Sequence, residues 1–165
     1  MVYNKILVTL DGSELSEAAL PHAAALAHCS GAHISLLRVA VPPMYIYPPI
    51  GMTPPINTML SAETMRVAVA EYLESKAATL RATGLNVTTS VQVNVMTADT
   101  ILSVAQALAA DLIVMSTHGR SGVTRWLLGS VADKITHVAR VPLLLVRPTA
   151  QALAKTEDAH EATFA

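Results

Sequence analysis

The chain has 165 residues, 52% hydrophobic and 14% charged, with 11 basic against 12 acidic side chains and a net charge of −1. That length suits one domain with its own core; the apolar content excludes a disordered chain, and the charge balance lacks the basic footprint of a nucleic-acid binder. No apolar run approaches the roughly 18 residues of a bilayer span, the single Cys29 excludes an internal disulfide framework, and no secretory leader is visible, so a cytoplasmic domain is expected.

Ile6–Leu10 is a short β-rich run of the kind a sheet buries on both faces. It ends at Asp11-Gly12-Ser13, where Asp or Ser can accept a bond from the first turn of a helix; Asp11 with Glu14 resembles a capping box. An alanine-rich helix follows over about 14–29, with a kink near Pro21 or a later start. Cys29, on that helix, is expected to be buried and inert. Gly31 stops the helix, and His33–Val39 reads as the second strand.

Residues 40–57 contain six of the nine prolines, which breaks any helix and predicts a long loop. Its Met44, Tyr45 and Tyr47 can serve as a lid over a ligand or as a partner surface. A helical pattern then runs over 58–83, a strand over Asn86–Val95, a helix over Thr97–Ala110 and a buried strand over Asp111–Ser116. A Gly-rich loop at 117–122 leads to a helix at about 124–139 and a last strand, Val141–Val146. Residues 149–165 lose the pattern and read as a disordered tail. The domain therefore spans 1–148. Alternating strands and helices require parallel pairing and right-handed crossovers. The expected fold is a Rossmann-like α/β domain, a five-stranded parallel sheet sandwiched by helices.

In such sheets ligands gather at the carboxyl ends of the strands. Two strand ends stand out, Thr9–Ser13 and Met115–Gly122, and ten residues beyond Gly119 comes Gly129-Ser130. A glycine inside a helix costs about 1 kcal/mol relative to alanine. Gly129 is explained equally by a phosphate approaching the backbone of a helix start or by close packing on the sheet.

The pattern Ser116-Thr117-His118-Gly119, nine residues, Gly129-Ser130 resembles the nucleotide loop of the universal stress proteins, in the branch carrying the ATP-binding motif. The resemblance covers residues 3–148, including the opening strand ending in Asp11, Leu36–Val39, Asp111–Met115 and Val141–Val146. It implies strand order 3-2-1-4-5 and an adenine nucleotide, ATP with Mg²⁺, in the cleft of a stress-response sensor or regulator. By position, Thr9, Leu10, Asp11 and Val39 would flank adenine and ribose. Met115, Ser116, His118, Gly119 and Arg120 would line the ribose and phosphate side, and Gly129, Ser130 and Val131 would hold the phosphates. It also implies a homodimer through strand 141–146, which would cover an apolar sheet edge. Two positions depart from the family. Ser116 replaces the first glycine of the motif, and Val95–Ala98 stands where many members have a Gly-x-Pro turn, so that Val95 is expected to narrow the cleft or resist a positive φ.

Alternatives from the residues alone remain beside this. Asp11 can cap a helix as well as touch a ligand, and His118 can be a solvated turn residue. Arg125 reads as an exposed cation and Trp126 as a core or rim anchor. No hydrolase elbow, GxxxxGK[ST] loop, GxGxxG turn or Cys/His metal spacing is present, so at most a slow ATPase is expected. The competing class is a dimeric interaction protein of the same fold with an empty cleft.

Overall fold

The computed structural model describes residues 3–41, 57–117 and 128–148. Five strands, β1 (Lys5–Thr9), β2 (His33–Ala40), β3 (Val87–Val93), β4 (Leu112–Ser116) and β5 (Leu143–Val146), form one parallel sheet in the order β3-β2-β1-β4-β5. Val8 stands opposite Leu36 and Val114 in the two ladders that flank β1. The central strands are apolar on both faces, as a sheet covered on both sides requires.

The connections decide which helices cover which face. Helices α1 (Glu14–Glu17), α2 (Ala19–Ser30) and α3 (Asn57–Arg81) belong to the crossovers β1 to β2 and β2 to β3. Helices α4 (Thr97–Ala107) and α5 (Ser130–Val138) belong to the crossovers running the opposite way, β3 to β4 and β4 to β5, and so lie on the other face. Ile6, Val8, Ile34, Leu36 and Val114 pack with Ala19, Ala23, Ala27, Leu73 and Ala77 on the first face. Leu7, Leu37, Ile113 and Met115 pack with Ile101, Ala105, Ala132 and Ile135 on the second.

Several boundaries differ from the sequence reading, each for a physical reason. The first helix divides at Ala18, because Pro21 has no N–H to bond the carbonyl of Glu17 and is tolerated only in the first turn of a new helix. Its N-cap is Ser13 rather than Asp11: Ser13 Oγ accepts the Ser16 N–H at 3.2 Å. Asp11 instead braces the cap, its Oδ1 accepting the Ser13 N–H at 2.9 Å and the Ser13 hydroxyl at 2.6 Å. Cys29 is exposed rather than buried, since the buried face of α2 is the Ala19, Ala23, Ala27 row. Gly31 does end the helix, in the left-handed conformation at φ 69°. The last helix begins at Ser130, with Gly129 as its N-cap, so Gly129 is not a helix-interior residue. The proline-rich loop with Met44, Tyr45 and Tyr47, Arg125 and Trp126, and the tail 149–165 lie outside the described residues.

The long α3 docks through Leu73 and Ala77, both fully buried, and through a polar cluster beside them. The Tyr72 hydroxyl donates to Glu17 Oε1 at 2.9 Å, and Lys76 Nζ bonds Glu17 Oε2 at 2.7 Å. Arg38 of β2 lies over the Tyr72 ring, 5.1 Å from its centroid, and Lys76 lies 5.5 Å from it. Burial, then the hydrogen bond and charge of Glu17, push the Tyr72 phenol well above its ordinary value of 10.0. The folded chain therefore keeps a proton that the unfolded chain releases near pH 10, and this contribution to stability is lost as pH rises above that point. Tyr72→Phe should be less stable than wild type at pH 7, by about 1 kcal/mol for the lost hydrogen bond. In urea melts the gap should narrow from pH 10 upward; a gap that holds constant or widens there contradicts the assignment.

Ala109 is the one non-glycine among the described residues with positive φ, at 49°, in the turn from α4 into β4. That backbone is strained for a residue bearing a Cβ and natural for glycine just beyond a helix end. Ala109 is exposed, so no packing is lost on removing its methyl. Ala109→Gly is expected to raise the unfolding free energy by about 0.5–1 kcal/mol, the strain relief outweighing the added chain entropy. Denaturant melts at neutral pH would show the opposite shift if the turn is unstrained.

Candidate functional site

The strand order reverses between β1 and β4, where the crossovers leave toward opposite faces. A cavity of about 260 Å³ opens at the carboxyl ends of β1, β2 and β4 beside that point. Its walls are apolar: Leu37 and Val39 from β2, Met115 from β4 and Ile101 from α4. Its polar lining comes from Thr9, Asp11, Ser16, Thr97, Ser116, Thr117 and Ser130. An apolar slot with a few convergent polar groups is the usual form of a small-molecule site.

Two short constructions set the polar side. At the end of β1, Gly12 turns the chain at φ 88°, and Ser16 ties the turn together. Ser16 Oγ accepts the Asp11 N–H at 3.3 Å and donates to the Ser13 carbonyl at 2.8 Å. At the end of β4, the Thr117 N–H bonds the Val146 carbonyl at 2.9 Å, and the Thr117 carbonyl accepts the Gly129 N–H at 2.9 Å. These two bonds carry the β4–β5 ladder one residue further and seat the start of α5 against it. The first-turn N–H groups of α5 have no carbonyl one turn earlier in the helix to bond, and Gly129, Ser130, Val131 and Ala132 all line the cavity. The positive end of a helix thus meets the cavity without a side-chain cap.

Gly129 has φ −58° and ψ 147°, a conformation open to any residue. Among the described residues, a Cβ placed there would meet the Thr117 carbonyl oxygen, at an ordinary contact distance of 3.4 Å. Neither backbone strain nor packing among the described residues therefore demands a glycine.

Nine of the expected positions, Thr9, Leu10, Asp11, Val39, Met115, Ser116, Gly129, Ser130 and Val131, line this one cavity. His118, Gly119 and Arg120 lie outside the described residues. Val95 does not narrow the cleft: it is 68% exposed, is not part of the cavity lining and has no positive φ. At this turn the Asn94 Oδ1 accepts the Met96 N–H at 3.0 Å, between the end of β3 and the start of α4. Sequence reasoning missed Ser16, Leu37, Thr97, Ile101, Thr117 and Ala132. Thr97 and Ile101 sit one turn apart on α4, a spacing that signals a shared face; Thr117 lies inside the motif itself. Asp11 is the one acidic side chain, and no Lys or Arg appears, among the described lining residues. Among the described residues no group of three or more His, Cys, Asp and Glu could hold a metal, and no helix is long and apolar enough to cross a membrane.

Comparison with known proteins places this architecture. The universal stress protein MJ0531 of Methanocaldococcus jannaschii is 31% identical over 146 residues, 88% of this chain and 83% of that protein. Among solved structures, the universal stress protein UspA from Lactobacillus plantarum superposes with a TM-score of 0.73 at 24% identity, covering 89% of this chain and 99% of its own. A universal stress protein in complex with cAMP gives a TM-score of 0.66 at 20% identity, covering 90% of this chain and all of that one. One from Arabidopsis thaliana with AMP bound gives 0.59 at 14%, covering 90% and 94%. A sequence model of the universal stress protein family matches residues 2–147, nearly the whole described fold, and the chain belongs to that family.

Proposed function

We propose that the chain binds an adenine nucleotide, ATP in the first instance, in the cavity at the β1/β4 switch point and acts as a stress-response sensor or regulator. The observation that carries this reading is Gly129. The described residues leave room for a side chain there, yet the sequence has a glycine at the N-terminus of a helix facing an apolar slot. A phosphate drawn to the first-turn N–H groups explains it, because a Cβ at that position would stand between anion and backbone. The base and ribose would lie between Val39, Ile101 and Met115, with Thr9, Asp11 and Ser116 at the polar edge. The nucleotides carried by the cAMP and AMP complexes of related fold support the same ligand class.

The residues present also suit Mg²⁺, which takes one or two carboxylates alongside phosphate oxygens. Asp11 would hold it, and the ion would offset phosphate charge that the described lining leaves without a cationic side chain. Phosphoryl transfer depends on charge stabilisers and a water-orienting group set around the γ-phosphate; this site is read as one that binds and at most hydrolyses slowly. The apolar β5 lies at a sheet edge, and pairing with β5 of a second copy would cover it.

Nucleotide released by denaturing the purified chain, identified by mass spectrometry, and calorimetric titration with ATP and Mg²⁺ test the reading directly. Gly129→Val should leave the melting temperature within about 4 °C of wild type while weakening ATP binding by about 100-fold or more, through exclusion of the phosphate. Retained affinity would refute the phosphate placement. A cleft that stays empty at millimolar ATP would favour the interaction-protein reading, to which Ser116 in place of a motif glycine lends itself. Sedimentation equilibrium should give twice the chain mass; a monomer at micromolar concentration counts against the β5 pairing.

A further inference from the structure

Arg38 stands on the opposite face of the sheet from the cavity walls, yet it reaches the turn that forms the cavity's edge. A Cβ built on Gly12 would lie 2.5 Å from Nη1, 2.6 Å from Cζ and 2.7 Å from Nη2 of Arg38. Three near-equal distances mean that the whole guanidinium, rather than one tip atom, covers the glycine. The φ of 88° is what favours glycine at position 12, and a Cβ there would in addition push the Arg38 guanidinium from its place. The guanidinium itself is backed by the Tyr72 ring at 5.1 Å, and that ring is held in turn by the hydroxyl bond to Glu17 of α1. Glu17 is fixed further by Lys76. The chain of contacts runs from α3 through Tyr72 and Arg38 to Gly12, between Asp11 and Ser13, and returns to α1 through Glu17.

From this packing we infer that Arg38 is a positioning residue for the site: its guanidinium, clamped between Tyr72 and Gly12, fixes the Asp11–Ser13 turn and thereby the placement of Asp11 and Ser16 at the cavity edge. The inference rests on the nucleotide reading for its effect on affinity, but its effect on the turn is independent of any ligand. A planar, delocalised cation suits the contact, since it meets both the Tyr72 ring and the Gly12 position with the whole guanidinium; an ammonium offers a point charge without the plane. Charge and plane can therefore be separated by experiment.

The test uses the full chain and three variants, Arg38→Lys, Arg38→Met and Tyr72→Leu, with ATP and Mg²⁺ as the titrant. Amide hydrogen exchange at Asp11 and Ser16 is measured without nucleotide. Both Arg38 variants should weaken ATP binding by about three- to tenfold, the scale of losing one well-placed contact. Both should also speed exchange at the Asp11 and Ser16 amides. Tyr72→Leu, which removes the platform and keeps the cation, should do the same and serves if Arg38→Met fails to fold. Wild-type affinity in Arg38→Lys would overturn the inference in favour of simple charge attraction. Unchanged exchange in all the folded variants would overturn it outright. If the wild-type chain binds no adenine nucleotide, the reading of the site fails and the predicted affinity losses fail with it. Exchange then still decides whether Arg38 holds the turn.

Discussion

Right-handed crossovers impose the condition from which the site follows. From β1 the chain moves through β2 to β3 on one side, and from β3 it returns across β1 to β4 and β5 on the other. Connections that leave adjacent strands in opposite directions cannot cover the gap between their ends. The cavity sits beside that gap because topology leaves it open, before any side chain is chosen. What the sequence adds is the lining, which among the described residues comprises branched and thioether side chains on the walls, and hydroxyls, one carboxylate and a helix start at the edge.

Backbone hydrogen bonds then convert an open gap into a defined edge. Thr117 bonds β5 through its N–H and the start of α5 through its carbonyl, so strand and helix are joined at one residue. The Asp11–Ser13–Ser16 network does the corresponding work after β1, where one carboxylate oxygen accepts two donors from the residue that caps α1. Both constructions use short polar side chains or main chain alone. Such groups place donors and acceptors with little rotamer freedom to lose, which favours a preformed site.

The layers of this fold were legible because buried parallel strands leave an unmistakable record. Ile6–Leu10, Asp111–Ser116 and Val141–Val146 are apolar runs bounded by turn residues, and their separation by helix-length segments leaves little topological choice. Nine positions that the family resemblance implies line the same cavity, several of them at strand ends and a helix start marked by Asp, Gly and Ser. Less legible were features decided by relations between distant residues. The role of Ser13 as cap, with Asp11 bracing it, depends on which of two adjacent acceptors the turn presents to Ser16. The exposure of Cys29 depends on which side of an alanine-rich helix faces the sheet, and a helix with small residues all round gives a weak directional signal. Val95 lies exposed and off the cavity lining, beside a turn that the Asn94 side chain ties to the Met96 N–H, a relation that no residue count along the chain reveals. The spacing of Thr97 and Ile101 signals that they share a face of α4, but that this face meets the cavity depends on how α4 docks, which no local pattern encodes.

The row Ala19, Ala23, Ala27 carries a mechanical consequence. These methyl groups, each at most 1% exposed, have no rotamers, so burying them costs no side-chain entropy. A helix seated on larger side chains can shift by letting them change wells; one seated on methyls has no such compliance. The buried alanine row of α2 therefore offers no rotamer change through which the helix could shift, a freedom that Leu20 and Leu26, partly buried beside it, retain. If the cavity holds a nucleotide as proposed, a displacement of the β1–α1 turn would fall first on residues 11–18, ahead of that methyl row.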